Sequence, residues 1–173
     1  INPEFDAFAK LMRCTNRAAH LIAGTEIVSA AVLYPAEAEW SGRDCMLLGE
    51  PCRALCDAQL NYDILPIDAL MEKARVEDGA LRVEKMRYPA LLIPRAQWLP
   101  EAFLGRLRAL KDAGLKAAFV DGRPENCDFG EVVALADAAE FVRRAGGTDV
   151  RLEDPFPLLR VRHARRDDAD AFM

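Results

Sequence analysis

IVSAAVLY, residues 27–34, is the stretch that decides the fold of this chain, and Pro35 ends it. The run is apolar almost throughout and lacks the alternation of a strand with one face in water. It therefore predicts a strand that is covered on both faces, as strands of parallel sheets are. The stretches Ala90–Ile93 and Lys116–Val120 have the same character. Together the three runs predict the buried centre of a parallel sheet.

Helices and further strands are predicted around these runs. The helical patterns cover residues 3–22, 51–60, 100–113 and 128–142. Asp128 and Glu131 are expected to form a capping box at the start of the last helix. A short strand is predicted at residues 62–65 and an edge strand at residues 149–152. Because strands and helices alternate, the expected class is α/β, with a flavodoxin-like, mostly parallel sheet of about five strands and helices on both faces.

Two smaller features interrupt this alternation. Asp78-Gly79 lies between apolar residues and predicts a tight β-hairpin, and Asp68 is expected to cap a short helical turn before it. Residues 159–163 alternate as a strand does, and after a turn at residues 167–170 the chain stops within a returning strand. The sequence therefore predicts one domain over residues 1–153, then a linker and a truncated following domain over residues 154–173.

Composition limits the classes of function. The chain has 173 residues, of which 51% are hydrophobic, so it can bury a sizeable core. Its net charge of -5 disfavours nucleic acid as a partner. No apolar run approaches the ~18 residues of a membrane span. The five cysteines lack the spacing of a disulfide framework, which indicates a reducing compartment, so the expected location is cytoplasmic.

No cofactor or metal site is predicted. The turn after residues 27–34 contains none of the glycines that a dinucleotide needs, and the sequence has no P-loop. Cys52 and Cys56 lie four residues apart on a helix, but they are interpreted as small core residues because zinc needs two further ligands. His20 and His163 are not expected near the carboxyl ends of the strands, so no catalytic residue is assigned.

Five side chains in the turns after the strands are candidates for binding a ligand, because ligands of open α/β sheets bind beyond the carboxyl ends of the strands. They are Glu39, Trp40, Arg95, Trp98 and Asp121. Indole rings and a guanidinium can stack on a sugar or hold a carboxylate. The alternative is that the tryptophans close the domain against a neighbouring one.

Several of these stretches resemble a known family. They are AVLYP at residues 31–35, NYDIL at 61–65, ARVEDGAL at 74–81, YPALLIP at 88–94 and KDAG at 111–114. They resemble the class I glutamine amidotransferase-like domain found within bacterial glycoside hydrolases. Relatives of that domain are the trimerisation domain of β-galactosidases and the equivalent domain of large α-L-rhamnosidase-like enzymes. The resemblance covers about residues 5–152 and implies a flavodoxin-like fold.

The resemblance implies a parent enzyme that acts on glycosides with catalytic carboxylates in a separate barrel domain, and it implies that residues 154–173 begin a β-sandwich. True amidotransferases carry a cysteine at the sharp turn where this sequence has Asp121, and a late histidine-acid pair where His163 is followed by Ala164-Arg165. Glutaminase activity is therefore not expected. The expected function is a non-catalytic accessory domain in carbohydrate degradation. Its expected partners are other domains of the parent chain, a second copy in a homo-oligomer, and carbohydrate.

Two other functions stay open at this point. One is a degenerate amidotransferase-like hydrolase in which Asp121 acts as nucleophile or base with Glu39 as its acid partner. The other is a flavodoxin-like module that binds a sugar or another small ligand through the turns after the strands.

Overall fold

The structure is a computed structural model that describes residues 4–21, 23–147, 150–154, 156–166 and 169–173. The helices are α1 (Phe5–Leu21), α2 (Ala36–Trp40), α3 (Gly49–Asp57), α4 (Ile67–Glu72), α5 (Glu101–Asp112) and α6 (Ala138–Arg144). The strands are β1 (Thr25–Glu26), β2 (Ala30–Tyr34), β3 (Tyr62–Pro66), β4 (Ala74–Glu77), β5 (Ala80–Val83), β6 (Met86–Tyr88), β7 (Ala90–Ile93), β8 (Lys116–Val120), β9 (Glu131–Val133), β10 (His163–Arg166) and β11 (Ala169–Phe172). In the described ranges, every helix is too short or too polar to cross a lipid bilayer.

A five-stranded parallel sheet is the centre of the larger compact unit, residues 28–160. Its strand order is β3-β2-β7-β8-β9, which is the flavodoxin-like order 2-1-3-4-5 when these strands are counted along the chain. The sheet has helices on both faces, as predicted: α4 and α5 cover one face and α3 and α6 cover the other.

Alternate residues of each central strand belong to opposite faces. Leu33, Leu91 and Phe119 pack with the helices on one side, whereas Val32 and Leu92 pack with those on the other. This explains why residues 30–33 are apolar without alternation, since both faces of the strand are buried. The strand itself begins only at Ala30, and the apolar residues before it lie outside the sheet.

The fifth strand is not where the sequence predicted it. It is β9, which pairs with the free edge of β8, whereas residues 150–152 form no strand and Asp149 lies outside the described residues. The predicted capping box is also wrong: Asp128 forms an ion pair with Arg108 at 2.6 Å, and the helix begins only at Ala138. An edge strand of three residues is too short for its hydrophobic periodicity to distinguish it from the start of a helix.

The hairpin at Asp78-Gly79 is confirmed. Both residues have positive φ, 51° and 70°, as a type I′ turn requires, and they join β4 to β5. The sequence did not indicate β6, which adds a third strand to this antiparallel sheet. Asp68 does not cap α4, because Pro66 occupies the capping position.

The smaller compact unit combines the two ends of the chain, the described residues up to Ile27 and those from Val161 onward. It contains α1 and an antiparallel sheet in the order β1-β10-β11. The predicted first helix is present, although Asn2, Pro3 and Ile22 lie outside the described residues. The final hairpin is also present, but its first strand begins only at His163, and Ala169 and Asp170, which were predicted in the turn, belong to β11. The predicted domain boundary after residue 153 stays a prediction.

One face of the final hairpin carries a histidine-acid pair. His163 is buried, stacks on Phe172 with ring centroids 4.2 Å apart, and lies with Nε2 2.9 Å from Oδ1 of Asp170. Arg165 donates from Nε to the same oxygen at 2.9 Å. The sequence interpretation missed this pair because it considered only the residues next to His163, and the acid arrives from the partner strand.

The charge on Asp170 is expected to make the stability of this hairpin depend on pH. Hydrogen bonds from Arg165 and then His163 hold the pKa of the Asp170 carboxyl below its usual value. Its stabilising contribution is therefore complete above the unfolded aspartate value of about 3.9 and is lost as pH falls through the lower folded value. We expect Arg165→Gln to raise this pKa in an NMR titration. Arg13→Gln on α1 is the matched control, and an equal shift in both variants would contradict the assignment.

Candidate functional site

The sheet reverses its winding direction between β2 and β7. From β2 the chain passes to β3 on one side, and from β7 it passes to β8 on the other. Ligands of open α/β sheets bind beyond the carboxyl ends of strands at such a point. The turns after β2, β7 and β8, residues 35–46, 94–98 and 121–125, are called the switch-point edge below. All five predicted ligand-binding residues belong to it, and Trp98 is the last residue of its second turn.

The first turn of the switch-point edge contains α2. The hydroxyl of Tyr34, at the end of β2, donates to Oε2 of Glu39 at 3.3 Å. The Glu39 charge, followed by burial, raises the pKa of the Tyr34 hydroxyl. In the described structure, Oε2 of Glu37 is buried without a hydrogen-bond partner. Trp40 is 79% exposed, so its ring is open to solvent.

The second turn is fastened to the loop after α2. Arg95 donates to Oδ2 of Asp44 in a short ion pair. The backbone N–H of Met46 donates to the carbonyl of Arg95 at 2.7 Å, and that of Gln97 donates to the carbonyl of Asp44 at 2.8 Å. These bonds hold the two segments together, and the Arg95 guanidinium is engaged by a carboxylate of this chain.

The two tryptophans have different surroundings. Trp98 is half-buried, and the guanidinium of Arg43 lies 5.1 Å from the centre of its ring. Trp40 is exposed to solvent over most of its surface. The structure therefore places both indoles at the switch-point edge, and Trp40 is the more exposed of the two.

Cys45 is the thiol at this edge, and its backbone pairs with Ala96 beside the end of β7. Burial raises the pKa of the Cys45 thiol, and the charges of Glu39 and Asp44 raise it further against the opposite effect of Arg95. A cysteine acts as a nucleophile through its thiolate. The surroundings of Cys45 therefore disfavour nucleophilic catalysis at neutral pH.

The third turn places Asp121 directly after β8 with a left-handed backbone, φ 57°. Its N–H donates to the carbonyl of Val133 at 2.8 Å. Its carboxylate oxygen Oδ1 accepts the backbone N–H of Leu135 at 2.7 Å. No hydrogen bond or ion pair joins Asp121 to Glu39 in the described part of the chain. The carboxylate thus fastens the turn after β9 and lacks the expected acid partner.

The other cysteines considered as metal ligands lie on α3, away from the switch-point edge. Cys52 is buried on α3, and Cys56 lies 3.8 Å from the hydroxyl of Tyr62. Burial raises the pKa of the Cys52 thiol and of the Tyr62 hydroxyl. Among the described residues, no group of three or more His, Cys, Asp or Glu side chains has the arrangement of a metal site.

Sequence reasoning did not single out Tyr34, Glu37, Asp44 or Cys45 as parts of the site. Asp44 and Arg95, which form an ion pair, are 51 residues apart in the sequence, and no local sequence pattern predicts a contact over that separation. The available signal was position alone, since these residues stand in or beside a turn that follows a buried strand.

No protein-family model and no curated protein matches the sequence. A rhamnosidase shares this fold. It is the rhamnosidase from Novosphingobium sp. PP1Y, with a TM-score of 0.56 and 16% sequence identity. The match covers 86% of this chain and 17% of the rhamnosidase, so the chain spans a small part of that protein's length. At this identity the similarity to the rhamnosidase establishes the fold alone.

Proposed function

We propose that this chain is a non-catalytic accessory domain of a multidomain glycoside hydrolase. The observation that carries the proposal is the hydrogen bond of Asp121. This residue lies at the sharp turn after β8, and its carboxylate accepts the backbone N–H of Leu135. At the same edge, burial and the neighbouring carboxylates raise the pKa of the Cys45 thiol. An aspartate engaged by the backbone and a thiol with a raised pKa both support a role without nucleophilic catalysis at this edge.

The choice of a glycoside hydrolase is supported by the rhamnosidase, of which a comparable fold forms a small part. The proposed partners are the other domains of such a parent, a second copy of the chain, and carbohydrate; the proposed compartment is the cytoplasm. At the switch-point edge, Trp40 would stack on a sugar, and Glu39, Arg95, Trp98 and Asp121 would line its approach. Packing against a catalytic domain would bring these side chains to its substrate cleft.

The alternative is a degenerate hydrolase that uses Asp121. It is favoured by the left-handed backbone of that residue, because strained conformations concentrate at active sites. It requires an acid partner, and the expected one, Glu39, instead accepts the hydroxyl of Tyr34.

Substitutions of Asp121 separate the two functions. We expect the protein to hydrolyse neither aryl glycosides nor glutamine, and Asp121→Asn to leave this result and the stability unchanged. Asp121→Ala is expected to lower the free energy of unfolding by about 1–2 kcal/mol, because it removes an acceptor and places alanine at positive φ. Hydrolysis that disappears in Asp121→Asn would replace the accessory role with the alternative.

Light scattering across a range of concentrations then distinguishes two forms of the accessory role. A dimer or trimer that persists on dilution would make assembly its main part. A monomer would indicate that the accessory role consists of packing within one chain. Trp40 and Arg95 would then be the next residues to substitute.

A further inference from the structure

A groove of about 750 Å³ lies on the face of the larger unit opposite α5, between α3 and α6. Its lining includes Gln59, Leu135 and Ala136 together with residues 151–153. It is called the α3–α6 groove. Its volume falls in the range of roughly 300–1,000 Å³ that is typical of ligand sites. None of the candidate residues of the switch-point edge lines it.

The segment that forms one wall of the α3–α6 groove is held in place by specific bonds just beyond it. The side chain of Gln59 is buried, with 8% of its surface exposed, and its amide nitrogen donates to the carbonyl of Phe156 at 3.0 Å. Arg160 donates to Oδ1 of Asp57 at 3.0 Å and to the carbonyl of Cys56 at 3.3 Å. The residues that follow this wall in the chain, Phe156 and Arg160, are therefore attached to α3 and to the buried side chain of Gln59 just after it.

The chemistry of the groove combines donors, acceptors and apolar surface. Arg151 and Glu153 line it, and neither has an ion-pair or hydrogen-bond partner among the described residues. Leu135 and Leu152 provide apolar surface beside them. Asp57 and Arg143 also line the groove, but they form ion pairs with Arg160 and Glu140. The lining thus holds two cations and two carboxylates without an excess of charge, so a strong anion or cation has no advantage in this site.

We propose that the α3–α6 groove binds a neutral sugar. Hydroxyl groups both donate and accept, so one ring can satisfy Arg151 and Glu153 together while its C–H face lies on Leu135 and Leu152. The choice of a sugar rests on the proposed function, because a zwitterion also pairs with one cation and one carboxylate. The groove itself does not depend on that function.

The test measures ¹H–¹⁵N chemical-shift changes in the whole chain on addition of methyl α-L-rhamnopyranoside or methyl β-D-glucopyranoside. Shifts are expected at residues lining the groove. Ala136→Trp, which fills the groove from an exposed position, is expected to raise Kd at least about tenfold. Arg151→Gln is also expected to raise Kd. Ala109→Trp, at an exposed position of α5, is the matched control and is expected to leave Kd unchanged.

Three results would overturn the proposal. They are shifts confined to the switch-point edge, shifts produced by glycine but by neither sugar, and the absence of shifts with both sugars at their solubility limits. Each leaves the accessory role standing, since that role is judged by the hydrolysis assays of the Asp121 variants. Hydrolytic activity with an intact groove response would remove the accessory role and keep the sugar site.

Discussion

Replacing Phe119 by alanine is expected to lower the free energy of unfolding by about 3–5 kcal/mol. Phe119 lies on β8 with 1% of its surface exposed, and its ring meets that of Phe129 edge-on with centroids 6.5 Å apart. The backbone of Gly130 packs so closely that a Cβ there would lie 2.7 Å from the Phe119 ring. Such a tightly lined site cannot collapse around the smaller residue. Urea unfolding followed by circular dichroism measures the loss.

The matched control for Phe119→Ala is Val132→Ala on the neighbouring strand. The two residues are paired across β8 and β9, but Val132 is 44% exposed. Its truncation is expected to change the free energy of unfolding by less than about 1 kcal/mol. Equal losses in the two variants would mean that the edge of the sheet is as tightly packed as its centre, contrary to the structure. Because β8 leads into Asp121, loosening at Phe119 is also expected to disturb the switch-point edge.

Gly147→Ala is expected to destabilise the protein by about 3 kcal/mol, near the upper end for over-packing. A Cβ at Gly147 would lie 2.6 Å from Cγ1 of Val142, which is fully buried on α6, and closer still to the carbonyl oxygen of Ser29. Ser29 leads into β2, so neither neighbour can move without displacing the core. Thermal and urea unfolding of the purified variant measure the effect.

Gly105→Ala provides the opposite control. Gly105 lies inside α5, and a Cβ there would meet no atom within 4 Å. Alanine is therefore expected to stabilise the protein by roughly 0.5–1 kcal/mol, because it restricts the unfolded chain and favours the helix. If the two glycine substitutions had the same sign, close packing at Gly147 would not be the reason for its sensitivity.

The sequence predicted the central strands of the sheet correctly but not the strand at its edge. Strands β2, β7 and β8 were predicted because burial on both faces leaves unbroken apolar runs in the sequence. Strand β9 was missed because its exposed Val132 and short length removed that signal. The predicted capping role of Asp128 failed for a similar reason, since its partner is Arg108 on a different element.

The sequence was sufficient to place the candidate side chains at one edge of the sheet, but it did not reveal their contacts. Glu39, Trp40, Arg95 and Asp121 could be selected because the carboxyl ends of parallel strands gather at one edge. Their partners could not be selected, because the ion pair of Arg95 with Asp44 depends on how the loop after α2 folds back onto β7. The role of each side chain at this edge is therefore a property of tertiary contacts.

By itself, the sequence determined the α/β class, the buried strands, the hairpin at Asp78-Gly79 and the edge of the sheet at which the candidate side chains gather. These features depend on local periodicity and on turn residues, which act over a few positions. The tertiary structure alone decided that Asp121 fastens the backbone of Leu135, that Asp170 meets His163, and that Gln59 holds the segment beside the α3–α6 groove. Contacts of this kind join residues on different elements, and their geometry is set by the packing of the whole core.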